Sequence, residues 1–184
     1  MSVPTPTWVV SALLADDLLA LNRALGILRR RNLPMSGVSL TPTGRPGTLR
    51  LTCLVTSDAA AAQRTANALR KMVDVREVVL HPEGDCTVRE HALVRVRVTP
   101  SQLPALLDAI SLYSAQVVEE SPQDLLLEAT GSAPFMTSFL RALEPFGILD
   151  LARGGTVCLP GRPATDPAAA PRPSTVRIAT AVPA

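Results

Sequence analysis

Residues 38–56, VSLTPTGRPGTLRLTCLVT, alternate apolar and polar side chains on either side of Gly44, Arg45, Pro46 and Gly47, a run with turn chemistry. They predict a β-hairpin. Leu49, Leu51, Cys53 and Val55 share one face of its second strand, and Arg50, Thr52, Leu54 and Thr56 share the other. Upstream, residues 8–14 (WVVSALL) form an apolar run of strand length, closed by Asp16 and Asp17, either of which can cap a helix. In that helix Leu21, Ala24, Leu25 and Leu28 lie on one face, and Arg29, Arg30 and Arg31 complement the carbonyl end of the dipole. Asn32 and Pro34 stop it. Downstream, Asp58 caps a second helix with an Ala62, Ala66, Leu69, Met72/Val73 stripe, and residues 75–80 (VREVVL) supply a fourth strand.

The same order then repeats. In residues 93–98 (LVRVRV) Val94, Val96 and Val98 point inward while Arg95 and Arg97 point out. A helix over 102–112 places Leu103, Leu106, Leu107 and Ile110 on one face, with Pro104 in its first turn. Val117–Val118 and residues 125–129 flank a Ser121-Pro122 turn; Ser132 caps a helix bearing Met136, Phe139, Leu140 and Leu143; and residues 148–160 end the copy, bent at Gly154 and Gly155. Right-handed crossovers turn each copy into an antiparallel sheet of order 4-1-3-2 with both helices on one face. The expected class is therefore α+β: two ferredoxin-like βαββαβ domains, 8–80 and 91–160, with a polar linker at 81–90 and a disordered Pro/Ala-rich tail at 161–184. A single helical layer leaves the other sheet face open. The second strand, residues 37–43, is an edge without Lys or Glu, which predicts that two copies pair there into one eight-stranded sheet.

Composition bounds the function. The 184 residues are 47% hydrophobic but only 3% aromatic, so the cores are built from aliphatic side chains and stacking platforms are scarce. A formal charge of +2 requires neither nucleic acid nor a membrane, and residues 49–56 lack the aromatic signature of an RNA-recognition strand. No apolar run approaches the roughly 18 residues of a membrane span, and no basic segment precedes an apolar one at the start, which points to the cytoplasm. Cys53, Cys86 and Cys158 are odd in number and show no CxxC spacing, so they read as reduced thiols: Cys53 and Cys158 in the core, Cys86 exposed in the linker. His81 and His91 flank that linker without metal-ligand spacing. No nucleophile–base pair or acid pair marks a catalytic centre, and no metal site is expected. Such a chain senses or couples rather than catalyses.

Several segments together carry a family resemblance: residues 13–14 leading into 20–23 (ALNR), 71–75 (KMVDV), Arg89 and Glu90 with 93–96 (LVRV), 127–131 (LEATG) and 146–153 (FGILDLAR). In their order and spacing, over about residues 8–160, the sequence resembles the small regulatory subunit of acetolactate synthase (acetohydroxyacid synthase). The resemblance implies an N-terminal ACT domain that dimerises and a C-terminal ferredoxin-like domain. It also implies a non-catalytic partner for a large subunit, which holds thiamine diphosphate, Mg²⁺ and FAD and makes acetolactate for branched-chain amino acid synthesis, so no cofactor is expected in this chain. The hairpin loop, residues 43–48, is one candidate surface for that contact. A free-standing amino-acid sensor is the alternative.

In that family an effector such as valine sits at the ACT dimer interface, between the loop after the first strand and the start of the partner's second strand. The family pattern in that loop is Asn-x-x-Gly-Ala-Leu. The corresponding residues here are Asp16, Leu19, Ala20 and Leu21, with Pro34 where a second Asn is usual and Met35 beside it. Asp16 adds negative charge near the expected ligand carboxylate, Leu19 fills space that Gly leaves to the backbone, and Pro34 removes a donor. Either the pocket is lost and the chain activates without feedback, or it has been rebuilt for another ligand.

Overall fold

The computed structural model describes residues 5–161; apart from Gly161, the segment expected as a tail lies outside the described residues. The first unit runs β1 (Thr7–Ala15), α1 (Leu18–Arg31), β2 (Met35–Pro42), β3 (Thr48–Thr56), α2 (Ala59–Arg70) and β4 (Val75–Pro82). Its sheet is antiparallel, in the order β2-β3-β1-β4. The second unit runs β5 (Cys86–Arg97), α3 (Leu103–Leu112), β6 (Gln116–Glu120), β7 (Asp124–Gly131), α4 (Ala133–Leu143), β8 (Ile148–Arg153) and β9 (Val157–Pro160). Its order, β6-β7-β5-β8, repeats the first, so the α+β double ferredoxin-like reading holds.

Local chemistry sets the helix ends. Asp17, not Asp16, caps α1, accepting from the Leu19 N–H at 3.1 Å, and Asn32 ends it in the left-handed region at φ 47°. Asp58 and Ser132 cap α2 and α4 through the N–H groups of Ala61 and Phe135. Val10, Ala12, Leu14, Leu51, Cys53 and Val55 meet Ala24, Leu28, Ala66 and Leu69 in the first core. The second core is built the same way from Val94, Val96 and Leu127 against Leu106, Met136, Phe139 and Leu143. On α3 only Leu106 and Ile110 are buried; Leu103 and Leu107, expected on the same face, stay 36% and 49% exposed. The reason is that α4, with Phe139, takes the centre of the layer and α3 meets the sheet along a narrow stripe.

Two expectations are corrected at the junction. Residues 81–90 do not form a linker: β4 continues to Pro82, one 3₁₀ turn spans Glu83–Asp85, and β5 begins at Cys86. The physical reason is that this polar stretch alternates, so Cys86 and Val88 point inward while Thr87 and Arg89 face solvent. The other correction concerns the sheet face opposite the helices, which is not open in the first unit. Cys86 and Val88 of β5 and Cys158 of β9 pack on Val9 and Leu54 there, and Ser11 and Thr52 are buried beside them.

Truncating the two α3 leucines separates the faces of that helix. Leu106→Ala is expected to destabilise the chain by about 2–5 kcal/mol, and Leu107→Ala by no more than about 0.5 kcal/mol, read from denaturant midpoints.

Candidate functional site

The six residues singled out from the sequence lie at opposite ends of α1. At its start, Asp16 is exposed, and its N–H donates to the Gly47 carbonyl at 3.1 Å, tying it to the turn between β2 and β3. Asp17 occupies two further groups: its carboxylate takes the Leu19 N–H and its carbonyl takes the Leu21 N–H at 3.2 Å. Of the first-turn donors, the Leu19 N–H is thereby withdrawn from a ligand carboxylate. Ala20 is fully buried and Leu21 packs against the core, whereas Leu19 stands 60% exposed over this helix end. An exposed leucine shortly after two carboxylates is a poor cradle for an anion.

At the far end, the Pro34 carbonyl accepts from the Thr56 N–H at 2.9 Å, and Met35 opens β2 opposite Val55. The 14 residues of α1 lie between the two groups, about 21 Å at 1.5 Å per residue. Within one chain they cannot meet the same small molecule. Along β2, Met35, Val38 and Leu40 remain exposed on the helix side of a strand with one bare edge.

The sequence did not reveal how firmly β2 is tied to the second unit. Ser39 Oγ donates to the Thr156 carbonyl at 2.6 Å. A Cβ added at Gly155 would lie 2.8 Å from the Val38 carbonyl oxygen and 2.9 Å from Ser39 Cβ, and one at Gly37 would lie 2.9 Å from Thr156 Oγ1. Read from the sequence, Gly154 and Gly155 are a bend; in space they are also a close approach between two backbones. The sequence signals were that glycine pair and Gly37.

The same seam holds two of the three thiols. Cys86, expected exposed, is half-buried on β5 and meets Cys158 from β9. Burial pushes the Cys158 thiol up to about 12, and its contact with Cys86 adds to the rise. Burial likewise pushes Cys53 to about 12. Cys86 is raised by burial, with the Cys158 contact acting against the rise. All three are protonated, and so poor nucleophiles, at neutral pH. His91, on the exposed face of β5, places Nε2 3.0 Å from Glu128 Oε1, and no cluster of three or more His, Cys, Asp or Glu side chains able to hold a metal occurs among the described residues.

Known proteins agree with this architecture. Residues 89–161 match the family model described as the small subunit of acetolactate synthase. The acetolactate synthase small subunit of Mycolicibacterium smegmatis is 31% identical over 157 residues, covering 85% of this chain and 92% of that protein. This chain belongs to the acetolactate synthase small-subunit family. The corresponding subunit of Haemophilus influenzae is 27% identical over 150 residues, covering 81% of this chain and 92% of its own length. The crystal structure of the small subunit from Thermotoga maritima superposes with a TM-score of 0.78 at 20% identity over 85% of this chain and 98% of that one, a likeness of fold. By its family, this chain is a regulatory subunit in branched-chain amino acid biosynthesis, not the catalytic subunit, and a catalytic large subunit is implied as its partner. No helix among the described residues is long and apolar enough to cross a membrane.

Alkylation of the native chain near pH 8 tests the thiols. Iodoacetamide is expected to label Cys86 first, with Cys53 and Cys158 reacting only after denaturant is added; mass mapping of the labelled peptides reads the order.

Proposed function

We propose that the small subunit acts as a homodimer joined through its first domain, that it binds and activates the acetolactate synthase large subunit, and that its response to valine is strongly weakened. What supports the dimer is the length of α1, about 21 Å, which keeps Asp16 and Met35 at opposite ends of the helix. If two β2 edges pair antiparallel about a two-fold axis, each Met35 end lies beside the other copy's Pro42 end. Pro42 pairs with Leu49, next to the turn that holds Asp16. Two half-sites from different copies then face each other. The exposed apolar side chains of Met35, Val38 and Leu40 support the same pairing, because an edge strand that stays solvated is normally charged or shielded.

The weakened effector response rests on the occupied Leu19 N–H, the exposed Leu19 side chain and the two carboxylates at the helix start. A branched-chain amino acid would bring its own carboxylate towards them. Activation needs no effector: a subunit that binds the large subunit's active state more tightly than its resting state shifts the population towards it. The thiamine diphosphate, Mg²⁺ and FAD chemistry stays with that large subunit.

Light scattering is expected to give a dimer at micromolar concentration for the native chain and a shift towards monomer for Val38→Lys. Calorimetry is expected to show no micromolar valine binding to the native chain and a tighter site in the Asp16→Asn, Leu19→Gly double variant. Micromolar affinity in the native chain refutes the weakened pocket. Unchanged acetolactate production and unchanged elution of a cognate large subunit on mixing refute the regulatory role and favour a free-standing sensor.

A further inference from the structure

The helical layer of the first domain carries a feature that the effector site and the dimer edge leave unused. A groove of about 650 Å³ runs between α1 and α2, lined by Arg30, Arg31, Arg64, Asn67 and Lys71 over an apolar floor of Ile27 and Ala68. Its charged lining is wholly cationic. Asn67 spends its side-chain oxygen on Gln63 and Arg70, at 3.0 and 2.7 Å, leaving its amide as a further donor. Among the described residues no carboxylate pairs with Arg30, Arg31, Arg64 or Lys71; the ion pairs that do form involve Arg23, His91, Arg95 and Arg153. Arg30 and Arg31 suit the carbonyl end of α1, but Arg64 sits mid-helix in α2, where no helix end calls for a cation.

The groove opens into a second depression of about 780 Å³ that shares Ile27 and Arg30 and adds Leu19, Leu25, Gly26 and Met72. Gly26 lies in the interior of α1, where glycine is less stable than alanine. A Cβ there would meet only the Arg30 guanidinium, at 3.6 Å, so nothing inside the fold requires its absence. A bare helix surface beside a cationic trough admits close approach from outside.

We propose that this groove is the docking surface for an acidic, partly apolar segment of the catalytic large subunit. The inference rests on the regulatory role and adds where the contact is made. Charge complementarity calls for an acidic occupant, since residues 5–82 hold ten Arg and Lys against five Asp and Glu, and the family supplies the large subunit as the partner to provide it. A long open trough with an apolar side suits a protein segment better than a single anion.

The test measures affinity of the full-length chain for its cognate large subunit, with acetolactate production alongside. Arg30→Glu with Arg64→Glu is expected to weaken binding at least ~10-fold and to flatten its salt dependence, while circular dichroism stays native. Gly26→Ala is expected to raise the melting temperature and yet lower affinity, a pairing that a merely structural glycine does not give. The control reverses as many charges on the second domain, Arg97→Glu with Arg141→Glu, and is expected to bind normally. Equal loss in both double variants overturns the proposal in favour of net charge. Unchanged affinity in the groove variant overturns it too, and groove-dependent binding of inorganic pyrophosphate in that case assigns the trough to a small anion. If the native chain neither binds nor activates any large subunit, the regulatory reading fails first and takes this proposal with it.

Discussion

One strand, β5, belongs to both halves of the molecule, and the rest of the architecture depends on it. Its first four residues pair with β9 and place Cys86 and Val88 on the back of the first sheet; from Glu90 onward it is a central strand of the second sheet. A strand cannot change its pleat without moving every side chain to the other face. The alternation that puts Val94 and Val96 in the second core therefore also sets how Val88 meets Val9 and Leu54. Joined in this way, the two domains are not beads on a tether.

That junction gives the edge strand β2 an unusual position. One side of it is bare and apolar, open to a second copy, while its inner residues are held by Ser39 and by the backbone approach at Gly155. Small residues serve here because the separation leaves no room for a side chain.

The fold was legible because period-two and helical patterns repeat twice in one order, with Asp17, Asp58 and Ser132 at the helix starts and Asn32 at a stop. What lay beyond local pattern was the seam. A polar stretch such as residues 81–90, holding Pro82 and Gly84, reads as a connection, and only the apolar residues on the back of the first sheet, Val9 and Leu54, make part of it a strand that buries them. Leu103 and Leu107 show the same limit from the other direction, since periodicity assigns them a face but α4 decides how much of it is covered. For the expected effector site the sequence left the separation of its residues unstated; that follows only from counting α1 as a rigid rod.

Bulk charge concealed the remaining feature. A chain of net +2 looks indifferent to charged partners, yet that sum cancels a basic first half against an acidic second half. Such polarity is costly to keep at one place on a surface: like charges facing each other across α1 and α2 repel, and fold stability alone would favour a glutamate among them. The first domain instead carries its five acidic residues elsewhere, at the helix starts Asp16, Asp17 and Asp58, in the Arg23 pair at Asp74, and at Glu77. Repulsion left standing between two helices is relieved when an anionic surface arrives, so the same feature that weakens the free subunit strengthens the assembled one.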